Sequence, residues 1–164
     1  MGLFRRLFGN GAPDGFTGSL EPDETVIAFT GVQGGGHVVV TSLGLWLPGP
    51  RRIGWHLVSK VKWEGALRVV EAVEASTEGP VVLLEDLPAQ RFAVDDPGRV
   101  LRAISQRVEG SIRSRERLES PGVWVLRRKI PGRDGVVWQA RGDAGVDLEA
   151  VREAVAPLVS RLAG

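Results

Sequence analysis

Across residues 25–94, apolar residues come in short runs, several of them alternating with polar ones, and turn-forming residues separate the runs. Residues 25–30 (TVIAFT), 37–41 (HVVVT) and 44–47 (GLWL, stopped by Pro48-Gly49-Pro50) read as strands, and so does 53–63. Residues 67–73, 81–84 and 90–94 follow, which predicts about seven short strands in about 70 residues. The period then changes. Asp95-Asp96-Pro97 offers a capping carboxylate with proline in the first turn. Leu101, Ile104, Val108 and Ile112 recur at three, four and four, one face of a helix expected to run to about residue 118. Gly110 weakens that helix by about 1 kcal/mol relative to alanine.

Beyond Pro121-Gly122, residues 123–130 and 136–141 are strand-like around Pro131-Gly132-Arg133-Asp134-Gly135, a hairpin signal. A second helix is expected near Asp147, with Leu148, Val151, Val155, Leu158 and Leu162 as its apolar stripe. Pro157 should kink or loosen its last turns. The predicted class is therefore α+β and β-dominated. An antiparallel barrel of about seven strands closed by an amphipathic helix is followed by a β-hairpin and a C-terminal helix. The expected organisation is a flexible segment over 1–19, the barrel with its helix over 20–118, and the hairpin plus helix over 119–164, packed on the same domain.

Gly34-Gly35-Gly36 lies between two strand-like runs. A phosphate-cradling loop would end in Gly-Lys-Ser/Thr and open a helix, but His37 and three valines follow. The three glycines read as a hairpin tip.

The chain of 164 residues has a net charge of +1, 43% hydrophobic and 25% charged residues, and no cysteine. This fits a folded protein with no disulfide, cysteine nucleophile or thiolate metal site. No apolar run approaches the roughly 18 residues that span a bilayer, and MGLFRRLFG lacks the features of a signal peptide. A cytoplasmic location is expected.

Candidate chemistry changes little. His37 and His56 lack carboxylates at ligand spacing, and His56 reads as a strand-face residue. Ser42 and Ser59 lack a nucleophile-elbow frame. Glu85-Asp86 and Asp95-Asp96 fit turn and cap positions. The expectation is no enzyme, no cofactor and no metal. Trp46, Trp55, Trp63, Trp124 and Trp138 all fall in predicted strands, with Trp124 and Trp138 placed to pair across the late hairpin.

Charge distribution changes the picture more. Residues 64–96 hold eight acids and two bases, and residues 99–133 hold ten bases and three acids. On the predicted helix Arg99, Arg102, Arg113 and Arg117 fall opposite the apolar stripe, with Glu109 and Arg113 as an i,i+4 pair. Together with Arg127, Arg128, Lys129 and Arg133 of the hairpin they form a candidate basic face for an anionic partner. The alternative is a solvated surface. Near the N-terminus Leu3, Phe4, Leu7 and Phe8 gather beside Arg5 and Arg6 as a candidate membrane-contact element. Each arginine contributes about 1 kcal/mol on an anionic surface, enough for weak, reversible attachment. A frayed terminus is the other reading.

The order of strands and closing helix resembles the pleckstrin-homology (PH) barrel. The stretch HVVVTSLGLWLPGPRRIGWHLVSKVKWEGALRVVEA is similar to its bacterial members at Thr41, Gly44-Leu45, Trp55-His56 and residues 58–63. The resemblance covers about residues 20–118 and implies a non-enzymatic adaptor that binds proteins, peptides or phosphoinositides. The phosphoinositide version needs bases in the first hairpin loop, and residues 32–36 carry none. The resulting expectation is an interaction module of a bacterial cell, peripheral at the inner face of the membrane. It binds an unidentified protein or an anionic membrane surface, and a homo-oligomer is compatible with it. The alternative is a nucleic-acid-associated protein using the basic stretch 113–133.

Overall fold

The structure, a computed structural model, describes residues 11–164. The predicted membrane-contact residues Leu3, Phe4, Arg5, Arg6, Leu7 and Phe8 lie outside the described residues. Among the described residues eight strands precede the first helix: β1 (Val26–Gly31), β2 (His37–Thr41), β3 (Gly44–Leu47), β4 (Arg51–Gly54), β5 (Val58–Trp63), β6 (Leu67–Glu78), β7 (Val81–Asp86) and β8 (Gln90–Phe92). Then come α1 (Pro97–Ser111), β9 (Ile112–Leu118), β10 (Val123–Lys129), β11 (Val136–Gly142) and α2 (Leu148–Ala163).

The strands form two sheets. One is β1-β2-β3-β4; the other is a curled, half-barrel sheet, β5-β6-β7-β11-β10-β9, with β8 paired to the start of β6. Every pair among β1–β8 is antiparallel; the late hairpin joins the larger sheet through a parallel pair, β11 with β7, Trp138 opposite Val81 and Arg141 opposite Leu84. Strands β10 and β11 therefore extend the large sheet, and α2 packs against β7 and β11. The glycine run is the β1–β2 hairpin, with Gly31 opposite His37. Gly34, Gly35 and Gly36 all take positive φ (92°, 122° and 85°), where a side chain would be strained.

Two expectations about elements are overturned. The predicted strand 53–63 is split by a 3-10 turn, Trp55–Leu57. Trp55 and His56 therefore sit in that turn rather than on a strand face. The first helix ends at Ser111, not near residue 118. Gly110 lowers helix propensity there, Ser111 Oγ donates back to the Val108 carbonyl, and the Ile112 N–H closes the last turn on Glu109. After that point Arg113, Arg115 and Arg117 alternate with Ser114 and Glu116, the period of a strand. Pairing with β10 (Leu126 opposite Arg115) takes up those backbone groups. At the other end Asp96 is the N-cap by position, but its side chain makes no cap bond. Instead its backbone N–H donates to Thr30 Oγ1.

Each half of the molecule has its own core. Val38, Val40, Leu45, Ile53, Trp55 and Leu67 meet Val100 and Ile104 of α1 in the first. Val81, Leu83, Val123, Val125 and Ala140 meet Val151, Val155 and Leu158 of α2 in the second. The α2 stripe is thus as predicted down to Leu158, while Leu162 remains 38% exposed. Pro157 lies inside the helix, which continues to Ala163. Asp147 caps it, accepting the Ala150 N–H at 2.8 Å.

Candidate functional site

Eight basic residues were expected to share one face; the folded chain distributes them over four environments. Arg99 and Arg102 are exposed on α1. They precede Gln106 at spacings of three and four, so the three form a row along the helix. Arg113 and Arg117 are on β9, which corrects their placement on the helix. Arg117 makes a two-pronged contact with Asp143, Nη1 to Oδ1 at 2.8 Å and Nη2 to Oδ2 at 2.5 Å. It also lies over the Trp124 ring, 5.1 Å from the centroid. The hydrogen bond to Asp143 raises the Arg117 pKa, and its counterpart lowers that of Asp143.

Arg127 is half-buried over Trp138, 5.3 Å from the ring centroid. The expected Trp124–Trp138 pair does not form, because the hairpin register sets Trp124 against Arg141 and Arg127 against Trp138. Likewise Glu109 binds Arg115 rather than Arg113, with both carboxylate oxygens 2.8 Å from Arg115 Nη2.

Arg128 is not available to a partner at all. Its residue exposure is 4%, since even-numbered β10 residues turn toward α1 and the 3-10 turn. Its guanidinium donates to the Trp55 carbonyl at 2.6 Å, the Val58 carbonyl at 3.2 Å and Ser111 Oγ at 2.8 Å. Burial, helped by the charges of Arg141 and Arg115 and opposed by Glu109, lowers its pKa to about 10. It stays charged at neutral pH and ties the hairpin to the first half of the molecule.

Next to this tether, Arg113 and Lys129 meet in a cleft of about 380 Å³ between the end of α1, the β2–β3 turn and the hairpin. Ser42, Trp55, Gln106, Arg107, Gly110, Ser111 and Pro131 complete its lining. Three cations and no carboxylate line it, and among the described residues none of the three is in an ion pair. The last carbonyls of α1, which would repel an anion, are engaged: Val108 by Ser111, Glu109 by the Ile112 N–H, and Gly110 by Arg113. Trp55 spends its indole N–H on the Thr41 carbonyl and offers an apolar wall. Arg107 was missed in the sequence because the predicted wheel sets it beside the apolar stripe, away from the other arginines. Its only signal was membership of the basic stretch 99–133. Arg133 is exposed on the hairpin turn and does not line the cleft.

A larger groove of about 650 Å³ lies where β7 and β11 end, against the start of α2. Its lining sets Lys60 and Arg141 against Glu85, Asp86, Asp143 and Asp147, a formal charge of −2. Arg141 bonds Ser59 and comes within 3.9 Å of Asp86, while Arg117 holds Asp143. Its net charge is therefore acidic, opposite in sign to the smaller cleft, and two of its carboxylates are already paired.

His56 is half-buried. Burial, with Arg128 and Arg133 nearby, lowers its pKa to about 4, so the imidazole is neutral at pH 7. Its Nδ1 is buried without a hydrogen-bond partner. Among the described residues no cluster of three or more His, Asp or Glu side chains is placed to hold a metal ion, and no helix is long and apolar enough to cross a membrane. No protein-family model, curated protein or solved structure matches the chain.

Proposed function

We propose that this chain is a non-enzymatic interaction module of a bacterial cell, PH-like in its first half, that docks an anionic partner at the cleft ending α1. Three unpaired cations around one concave site carry the reading, because a cleft lined by one sign of charge focuses field lines and concentrates anions there. Arg99 and Arg102 extend the same positive surface along α1 toward Gln106. The partner is an acidic protein segment or an anionic membrane surface, and the setting is the cytoplasm or the inner face of the membrane. In support of the PH-like reading, α1 packs on β1, β2 and β5, and a Val32–Val94 bridge links the two sheets near one edge.

The nucleic-acid reading has less charge to draw on than the stretch 113–133 suggests. Arg115 and Arg117 are ion-paired and Arg128 is buried. It predicts affinity falling steeply with salt.

The test is a pull-down from a bacterial lysate with wild-type protein and an Arg107→Glu/Arg113→Glu/Lys129→Glu variant. Arg107 and Arg113 are exposed and Lys129 is half-buried, and circular dichroism of the variant checks that it keeps its fold. The expected outcome is loss of the acidic partners or anionic vesicles retained by wild type. Identical retention by both proteins would remove the cleft as the docking site.

A further inference from the structure

We infer that the cleft at the end of α1 is a phosphomonoester site, a conclusion that rests on the cleft being the docking surface and names its ligand. Arg107, Arg113 and Lys129 give the site a formal charge of +3 with no acid in its lining. One carboxylate would leave two of these cations uncompensated. A phosphomonoester carries about −1.5 to −2 at neutral pH, which leaves about one, and its three strong acceptor oxygens offer each cation a partner.

The hydrogen-bond inventory agrees. Arg113 spends one N–H on the Gly110 carbonyl and keeps the rest of its guanidinium for a ligand. Among the described residues Arg107 has no hydrogen-bond or ion-pair partner. Lys129 makes only a long contact of 3.3 Å to the Ile130 carbonyl. Ser42 Oγ accepts the Thr25 N–H at 2.9 Å and retains its own proton to donate. With Gln106 it supplies neutral polar groups of the kind that read hydroxyls. The volume of about 380 Å³ falls in the range of small-molecule sites, about 300–1,000 Å³. It fits a phosphate together with a short polyol, against the Trp55 wall. Such a group can come from a soluble phosphate ester or from a phosphomonoester lipid headgroup.

The experiment uses the full chain with two kinds of probe. Glycerol phosphate is titrated calorimetrically, with glycerol and acetate as controls. Phosphatidylcholine vesicles are then sedimented with added phosphatidic acid, a monoester, or added phosphatidylglycerol, a diester. The proposal expects binding of glycerol phosphate, of phosphatidic acid vesicles, or of both, and the pattern identifies the source. Arg107→Gln, Arg113→Gln and Lys129→Gln should each weaken it about tenfold, the worth of one charge-assisted contact. Arg115→Gln, outside the cleft and paired with Glu109, should bind as wild type. The proposal fails if neither monoester binds, if phosphatidylglycerol vesicles match phosphatidic acid, or if the cleft variants bind as wild type. An acidic protein still captured by a chain that ignores both monoesters would overturn the ligand assignment and leave the interaction-module reading standing.

Discussion

Glu24 is completely buried, and its carboxylate is held by four donors. Thr41 Oγ1 lies at 2.5 Å, Arg52 Nη1 at 2.6 Å, Trp46 Nε1 at 2.9 Å and the Glu21 N–H at 3.0 Å. Burial would raise its pKa; the hydrogen bonds from Thr41, Glu21 and Trp46 and the charge of Arg52 outweigh it and hold it below the ordinary 4.5. A depressed carboxylate adds stability above its unfolded pKa, and that stability is lost as pH falls through the folded value. His56 acts in a higher window. With 6.5 as its ordinary value and about 4 in the fold, the unfolded chain binds the extra proton between them, so stability falls as pH drops across that interval. His56→Gln is therefore expected to flatten the urea midpoint between pH 6.5 and 4 while leaving the more acidic loss intact; an unchanged slope contradicts this account. Neither residue was readable in advance. Glu24 sits in a loop and is distant in sequence from Thr41, Trp46 and Arg52, and the environment of His56 includes the charges of Arg128 and Arg133 from the other half.

Between elements, Arg128 connects β10 to the 3-10 turn, β5 and the end of α1 with no carboxylate among its hydrogen-bond partners. Replacing it with Met removes a buried charge but strands the carbonyls of Trp55 and Val58. Lost bonds to a charged donor outweigh the relief, and Arg128→Met is expected to cost about 2 kcal/mol in urea denaturation. An unaltered midpoint would show the tether to be energetically idle. The hairpin, the α2 boundary at Asp147 and the glycine turn were legible because each has a local cause: turn residues, a capping carboxylate, positive φ. The end of α1 was not. Arginines at 113 and 117 fit a helical spacing, and those at 113, 115 and 117 fit a strand equally well. The choice fell to β10, whose free side needed a pairing partner.

At the scale of the whole molecule, two cores share one sheet, and β6 and β7 run between them. Such continuity predicts a single cooperative transition. Leu67→Ala in the first core and Val123→Ala in the second should each lower one common midpoint followed by tryptophan fluorescence and far-ultraviolet circular dichroism. Leu67→Ala should cost about 2–5 kcal/mol. Separate midpoints for the two probes would show that the halves unfold independently. The sequence alone determined the β-rich class, most strands, both helices and the imbalance of charge, because periodicity, turn chemistry and composition act over a few residues. Tertiary structure decided the parallel β7–β11 pairing, the two cores and the fate of each arginine. Those outcomes depend on which distant backbone edge, carboxylate or ring a side chain meets. Of the expected basic face, Arg113 and Lys129 converge in the cleft and are joined there by Arg107, while Arg117 and Arg128 are bound into the protein itself.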